Sequence, residues 1–237
     1  MYKDKKILCV ITARGGSKRL PGKNIKQLNG KPLIGYAIDA AKGSKYIDRV
    51  IVSTDDEQIA SVAKECGAEV PFMRPAELAT DTATSLMALQ HAVGAVEAEG
   101  TQYYLIVLIQ PTVPGVLSID VDAAIEKIIE TGANSCVSVT EITERPEWMY
   151  RLDLEGKATP YMLPSEARSQ DLEKIYRGNG AIFVTAHSTL VEESKILDHA
   201  NNAAIVMPRE RSVDIDSPHD FFMAEQSLRY QKEQGNL

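Results

Sequence analysis

The chain has 237 residues, 44% hydrophobic and 25% charged, the profile of a globular protein that buries a sizeable core. A net charge of −7 argues against general nucleic-acid binding, and no apolar run approaches the roughly 20 residues of a membrane helix. Cys9, Cys66 and Cys136 are far apart with no CxxC, and the four histidines lack metal spacing, which argues against a disulfide framework or zinc site and fits a reducing cytoplasm.

In chain order, "KILCVIT" (6–12) reads as a buried first strand, because its apolar run ends in Arg14 with no small-residue cleavage site. "KPLIGYAIDAAKG" (31–43) predicts a helix with Pro32 in its first turn and Gly43 after it. "RVIVS" (49–53) is a second strand, followed by a helix capped by Asp55 or Asp56 and stopped at Gly67. "EVPFM" predicts a short third strand, residues 82–100 a long helix, "YYLIVLI" (103–109) a fourth strand. A helix over 118–132 and a strand over 135–141 follow. The alternation then breaks over 142–178, an excursion with three prolines and the only Trp, before "GAIFVTA" resumes strand character. A strand-like "SVDID" leads into a helix capped by Ser217 ahead of Pro218.

Strands alternating with helices imply right-handed crossovers and an α/β fold: three layers around a mainly parallel Rossmann-like sheet, in a single domain spanning 1–237. Ligands of such sheets bind beyond the carboxyl ends of the strands. The loops "ARGGSKRLPGKN", "STDD" and "QPTVPG" are therefore the expected floor of a site.

Charge singles out the first of these loops. From Lys5 to Ile38 there are eight basic residues and no Asp or Glu, a +8 segment in an acidic chain, which points to a polyanionic ligand. "ARGGSKRLPGKN" resembles a Walker loop but carries five residues between Gly16 and Gly22 and Asn24 in place of the magnesium-binding hydroxyl. Its helix also starts late, around Pro32, so side chains more than a helix end must neutralise the phosphates. Gln110 is a polar residue closing an apolar strand, suited to a ligand contact or to plain strand termination. Asp214 and Asp216 stand two apart in an extended stretch, so both carboxylates share one face. That spacing suits a hard divalent cation or, equally, the start of the following helix.

Six segments, "ARGGSKRLPGKNI", "STDDEQIASVAKECGAEV", "RPAELATDTATS", "LIQPT", "RSQDLEKIYRGNGAIFV" and "DIDSPHDF", together resemble the acylneuraminate cytidylyltransferases. That family activates nine-carbon acidic sugars as CMP conjugates; its relatives include the CMP-legionaminic acid synthetases. The resemblance implies that CTP and a nonulosonic acid give a CMP-sugar and pyrophosphate with Mg²⁺ as cofactor, in a cytoplasmic homodimer. It implies that Arg14, Gly15, Lys18 and Lys23 bind the triphosphate, with Ser17 and Asn24 lining the nucleotide. Arg74 and Ser85 would hold the cytidine end. Gln110, Thr112, Trp148, Arg168, Gln170, Asn179 and Phe183 would contact the sugar, Arg168 through its carboxylate. Asp214 and Asp216 would bind the metal. The excursion 142–178 would form the dimer contact and reach the neighbouring subunit's site.

Two departures from the family fall on the expected sugar side. Val113-Pro114-Gly115-Val116 follows "QPT" where many members read Ser-Pro-Leu-Arg, and Trp148 stands near where some sialic-acid enzymes carry a lysine. With these changes a deoxygenated, methyl-ended sugar such as legionaminic acid is expected to suit the pocket at least as well as N-acetylneuraminate. Competing readings are transfer to another acidic sugar (legionaminic, pseudaminic or 3-deoxy-octulosonic acid) and a non-catalytic nucleotide-binding module.

Overall fold

A computed structural model describes residues 5–163 and 172–235. In chain order it contains β1 (Ile7–Thr12), two-residue strands β2 (Gln27–Leu28) and β3 (Lys31–Pro32), α1 (Leu33–Lys42), β4 (Arg49–Ser53) and α2 (Glu57–Glu65). There follow α3 (Ser85–Glu97), β5 (Leu105–Ile109), α4 (Ser118–Thr131), β6 (Ser135–Glu141), β7 (Tyr150–Leu152) and β8 (Ala158–Pro160). The chain closes with β9 (Tyr176–Ala186), α5 (His187–Val191), β10 (Asn202–Val206) and α6 (Pro218–Glu233).

The central sheet has six strands in the order β10-β6-β9-β5-β1-β4. β1 pairs in parallel with β4 and β5, and β10 with β6, while β9 runs antiparallel to both its neighbours. The sheet is thus mainly parallel with one reversed strand inside it. β1 shows why it must be covered on both faces. Its Ile7, Cys9 and Ile11 pack with Ile34 and Ile38 of α1 and Ile125 of α4, while Leu8 and Val10 pack with Leu89 and Val93 of α3. Alternate side chains of a strand face opposite ways, so an uninterrupted apolar run demands a helix layer on each side.

Local signals explain the boundaries. Asp56, not Asp55, caps α2, accepting from the N–H groups of Gln58 and Ile59. Ser217 and Asp220 form a capping box at α6 with Pro218 in its first turn. Two expected strands are absent. "EVPFM" contributes only an isolated bridge between Ile51 and Glu69, since Pro71 has no N–H to extend a ladder. "SVDID" is extended but unpaired as a strand, crossing the top of the sheet with one bond from Ile215 N–H to Thr112 C=O, 2.8 Å. The excursion holds the β7–β8 hairpin, and β9 begins at Tyr176, before the expected end of the excursion.

The Val113–Val116 turn is a piece of the interior and not a sugar-side wall. Val113 and Val116 are buried in the core, and Arg211 donates to the Gly115 carbonyl at 3.1 Å while pairing with buried Asp120. A Cβ on Gly115 would lie 2.4 Å from the Arg211 carbonyl oxygen and 2.7 Å from its Cα, both backbone atoms. Gly115→Ala should therefore cost about 1–3 kcal/mol, read as a lower denaturation midpoint. An unchanged midpoint would mean that the turn relaxes freely.

Candidate active site

The carboxyl ends of β1 and β5 open into a cavity of about 520 Å³. Its first wall is the basic loop after β1. Gly22 takes a left-handed φ of 66° where the loop reverses, and a single 3₁₀ turn, Lys23–Ile25, follows. Asn24 is buried and donates to the Arg14 carbonyl at 3.0 Å, closing the base of the loop. Gly15 N–H donates to Asp55 at 3.0 Å, and a Cβ on Gly15 would lie 2.7 Å from the Asp56 carboxylate. The loops after β1 and β4 are thereby locked at a spacing only glycine permits. Behind them, α6 packs Ala224 and Leu228 against Leu20 and Leu28, so the cradle rests on a small apolar core of its own.

Arg14, Ser17, Lys18 and Lys23 line this cavity together with Arg74, Ser85, Gln110 and Thr112, as does Asn24. Arg19 also lines it, a cation absent from the expected binding set. Arg74 is only 6% exposed; its Nε donates to Ser53 Oγ at 3.0 Å and its Nη2 to the Ser53 carbonyl. Burial lowers its pKa, with Asp55 opposing and Arg14 reinforcing that shift. A guanidinium held so firmly presents a fixed donor array to a ligand. Ser85 opens α3, whose N-cap is Thr84.

Asp216 lines the cavity and is paired with Lys23 at 3.3 Å and Arg19 at 3.1 Å. Lys23, whose side chain is 11% exposed, also donates to the Ile215 carbonyl. Asp214 stands beside Gln110: a Cβ on the intervening Gly180, φ +77°, would meet the Asp214 carboxylate at 3.6 Å and Gln110 Oε1 at 3.7 Å. Asp214 is an exposed residue that lines neither cavity itself, standing at the edge of the cleft beyond Gly180. Desolvation there raises its pKa; Thr112, Lys23 and Arg177 pull it down, and Asp216 pushes it further up.

A second cavity, about 410 Å³, adjoins the first through Thr84, Ser85 and Gln110. Leu86, Leu108, Phe183, Ile196 and Leu197 make it largely apolar, with Ser194, Lys195 and His199 at its edge. Phe183 therefore stands where a ligand reaching past Gln110 would meet it.

Two expected sugar contacts lie elsewhere. Asn179 is 1% exposed and fully engaged inside the protein. Its Nδ2 donates to Ser212 Oγ at 2.9 Å and to Met207 Sδ at 3.2 Å, and its Oδ1 accepts from Ser138 Oγ at 2.6 Å and Ala181 N–H at 3.1 Å. It braces β9 against the loop leading to Asp214 and has no donor left for a sugar. Trp148 is 42% exposed on the 3₁₀ turn Pro146–Trp148 and lines neither cavity, so it forms no sugar surface within its own chain. Arg168 and Gln170 lie outside the described residues.

Sequence reasoning passed over Asp81, which lines the cavity and pairs with Arg14 at 3.1 Å and with Lys18. The signal was present: it is an acid inside "RPAELATDTATS", a segment already assigned to the nucleotide wall.

Comparison with known proteins agrees with this architecture. The family model described as cytidylyltransferase matches residues 8–227. The CMP-N,N'-diacetyllegionaminic acid synthase of Legionella pneumophila is 35% identical over 96% of this chain and 98% of its own. The pseudaminic acid cytidylyltransferase of Campylobacter jejuni is 34% identical over 92% and 94%. Among solved structures, a CMP:2-keto-3-deoxy-manno-octonic acid synthetase complexed with CTP superposes with a TM-score of 0.72 at 17% identity, covering 96% of this chain and all of that one, which speaks to the fold alone. With its basic cradle, its Gln110–Asp214 corner and this family match along nearly its whole length, the chain belongs to the cytidylyltransferase family.

Proposed function

We propose that the protein transfers the cytidylyl group of CTP to a sialic-acid-like nonulosonic acid. The observation that carries this reading is the meeting, in one cavity, of the basic loop with Gln110, Thr112 and Asp216. The sugar's anomeric hydroxyl loses its proton and attacks the α-phosphorus of CTP, and the bond to pyrophosphate breaks. Arg14, Lys18 and Lys23 hold the triphosphate and stabilise the charge that shifts onto pyrophosphate, with Gly15 allowing close backbone approach. Ser17 and Asn24 line the nucleotide, while Arg74 and Ser85 orient the cytidine end. Gln110 and Thr112 hold the sugar's reacting end, and its acyl or methyl groups extend towards Phe183 in the adjoining apolar cavity.

Asp214 and Asp216 suit a magnesium ion. Among the described residues no cluster of three or more His, Cys, Asp or Glu makes a closed protein cage. Two neighbouring carboxylates match a cation that keeps waters and takes its remaining oxygens from substrate phosphates. Bound there, it would neutralise charge on the phosphates.

The excursion supports a homodimer. Tyr150, Leu152, Tyr161 and Met162 of the β7–β8 hairpin are exposed, as is Trp148, leaving apolar area that a second copy would cover. In such a dimer the sugar contacts expected of Arg168, Gln170 and Trp148 would come from the neighbouring chain. The free cysteines and the lack of a described helix able to cross a membrane are compatible with a cytoplasmic enzyme.

Steady-state pyrophosphate release with CTP and a panel of N-acetylneuraminic, legionaminic, pseudaminic and 3-deoxy-octulosonic acids tests the substrate class. Turnover is expected with a nine-carbon acid. A preference for the eight-carbon acid would move the protein to a different branch of the same chemistry.

A further inference from the structure

The cations that the proposed function assigns to the triphosphate already have carboxylate partners. Asp216 covers Lys23, and Asp81 covers Arg14 and Lys18. The two acids differ in placement. Asp216 belongs to the segment that ties Lys23 down through Ile215, whereas Asp81 sits on the facing wall, in the exposed loop between the 3₁₀ turn Ala76–Leu78 and α3. Arg14 reaches that wall a second time, donating from Nη1 to the Thr80 carbonyl at 3.0 Å. The two walls of the nucleotide cavity are thus clipped together by one carboxylate and one carbonyl. The clip lies across the basic loop that faces the cavity.

We propose that Asp81 is an internal counter-ion, a displaceable latch that holds Arg14 and Lys18 in place of phosphate and yields them when polyphosphate enters. The inference rests on the reading of this loop as a phosphate cradle. A polyphosphate bound there meets the negative charge of Asp81 at close range, since carboxylate and phosphate seek the same N–H donors. Asp81 therefore weakens binding of the anion while keeping the empty cradle ordered. The same competition speeds release of the pyrophosphate product, because the carboxylate returns to the two cations as it departs. A merely structural residue would act the other way: its loss would loosen the wall and weaken binding.

The test is calorimetric titration of the full chain with inorganic pyrophosphate in EDTA, where no cation bridges ligand and protein. Asp81→Asn removes the charge and keeps the shape, and should bind pyrophosphate about threefold to tenfold more tightly, the scale of two partly exposed ion pairs. Asp81→Ala should tighten binding similarly, so the result does not depend on the fold of one variant. Asp81→Glu, which restores the carboxylate, should return the affinity towards that of the unsubstituted protein. Equal or weaker binding by both Asn and Ala variants overturns the latch. Absence of binding by every protein overturns the phosphate-cradle reading and the latch with it, whereas binding by the unsubstituted protein alone overturns only the latch.

Discussion

Asp214→Asn is expected to lower turnover by about a hundredfold or more while leaving the melting temperature unchanged or slightly raised. The two effects have one cause. Asp214 is partly desolvated by its neighbours and has a second carboxylate near, so its pKa is raised despite Thr112, Lys23 and Arg177. A carboxyl with a raised native pKa binds its proton more tightly folded than unfolded. Stability therefore declines as pH rises through the window between the ordinary carboxylate value and the raised one, and above it the full penalty remains. Asparagine removes that decline, so the gain should be present at neutral pH and vanish in acid. Because the carboxylate touches solvent, the gain is small. Function needs the charge that the fold disfavours. A thermal melt at pH 7 and pH 4 beside a pyrophosphate-release assay checks both halves. Wild-type turnover in the variant, or a clear loss of stability at pH 7, would contradict the assignment.

Lys23→Ala is the second large effect. Its ammonium is one of the least exposed cations of the cradle and joins two chain segments nearly two hundred residues apart, through Asp216 and the Ile215 carbonyl. Truncation removes a phosphate donor, leaves Asp216 with Arg19 alone and frees the crossing segment that carries Asp214. CTP affinity and kcat should fall together, kcat/KM by about a hundredfold, roughly 2.7 kcal/mol. Lys23→Arg keeps the charge but replaces a point donor by a planar fork in a confined position, and should rescue only part of the loss. If Lys23→Ala changes KM alone, the residue contributes ground-state binding and not stabilisation of the departing pyrophosphate.

Much of this was legible in the sequence because simple periodicities encode it. β1 and β5 read as strands covered on both faces because five or more apolar residues run without a break, and the helices after them announce themselves by Ser, Pro and Gly at their ends. The cradle was legible because an acid-free +8 segment in an acidic chain needs an explanation. The reversed strand β9 was not, since direction is set by pairing partners far away in the chain and leaves no local trace. Asn179 illustrates the limit of motif reading. It lies in a segment that tracks the family, yet its amide is consumed by Ser138, Ser212 and the Ala181 N–H, so its place there reflects bracing of β9 and not contact with substrate. The Val113–Val116 turn misled for a related reason: the close approach of the Arg211 backbone that demands Gly115 comes from the far end of the chain. Asp81 was overlooked because an acid in a phosphate site looks out of place until its partners, Arg14 and Lys18, are seen beside it.

The most direct test of the central claim is the chemical identity of the product. The protein is incubated with CTP, magnesium and legionaminic or N-acetylneuraminic acid, and the mixture is followed by ³¹P NMR. The account predicts equal amounts of pyrophosphate and of a single new phosphodiester, whose mass by mass spectrometry is that of the CMP-sugar, both formed far more slowly by Asp214→Asn. CTP that binds but stays intact with every acidic sugar, or that breaks down to free CMP without a sugar conjugate, would contradict it.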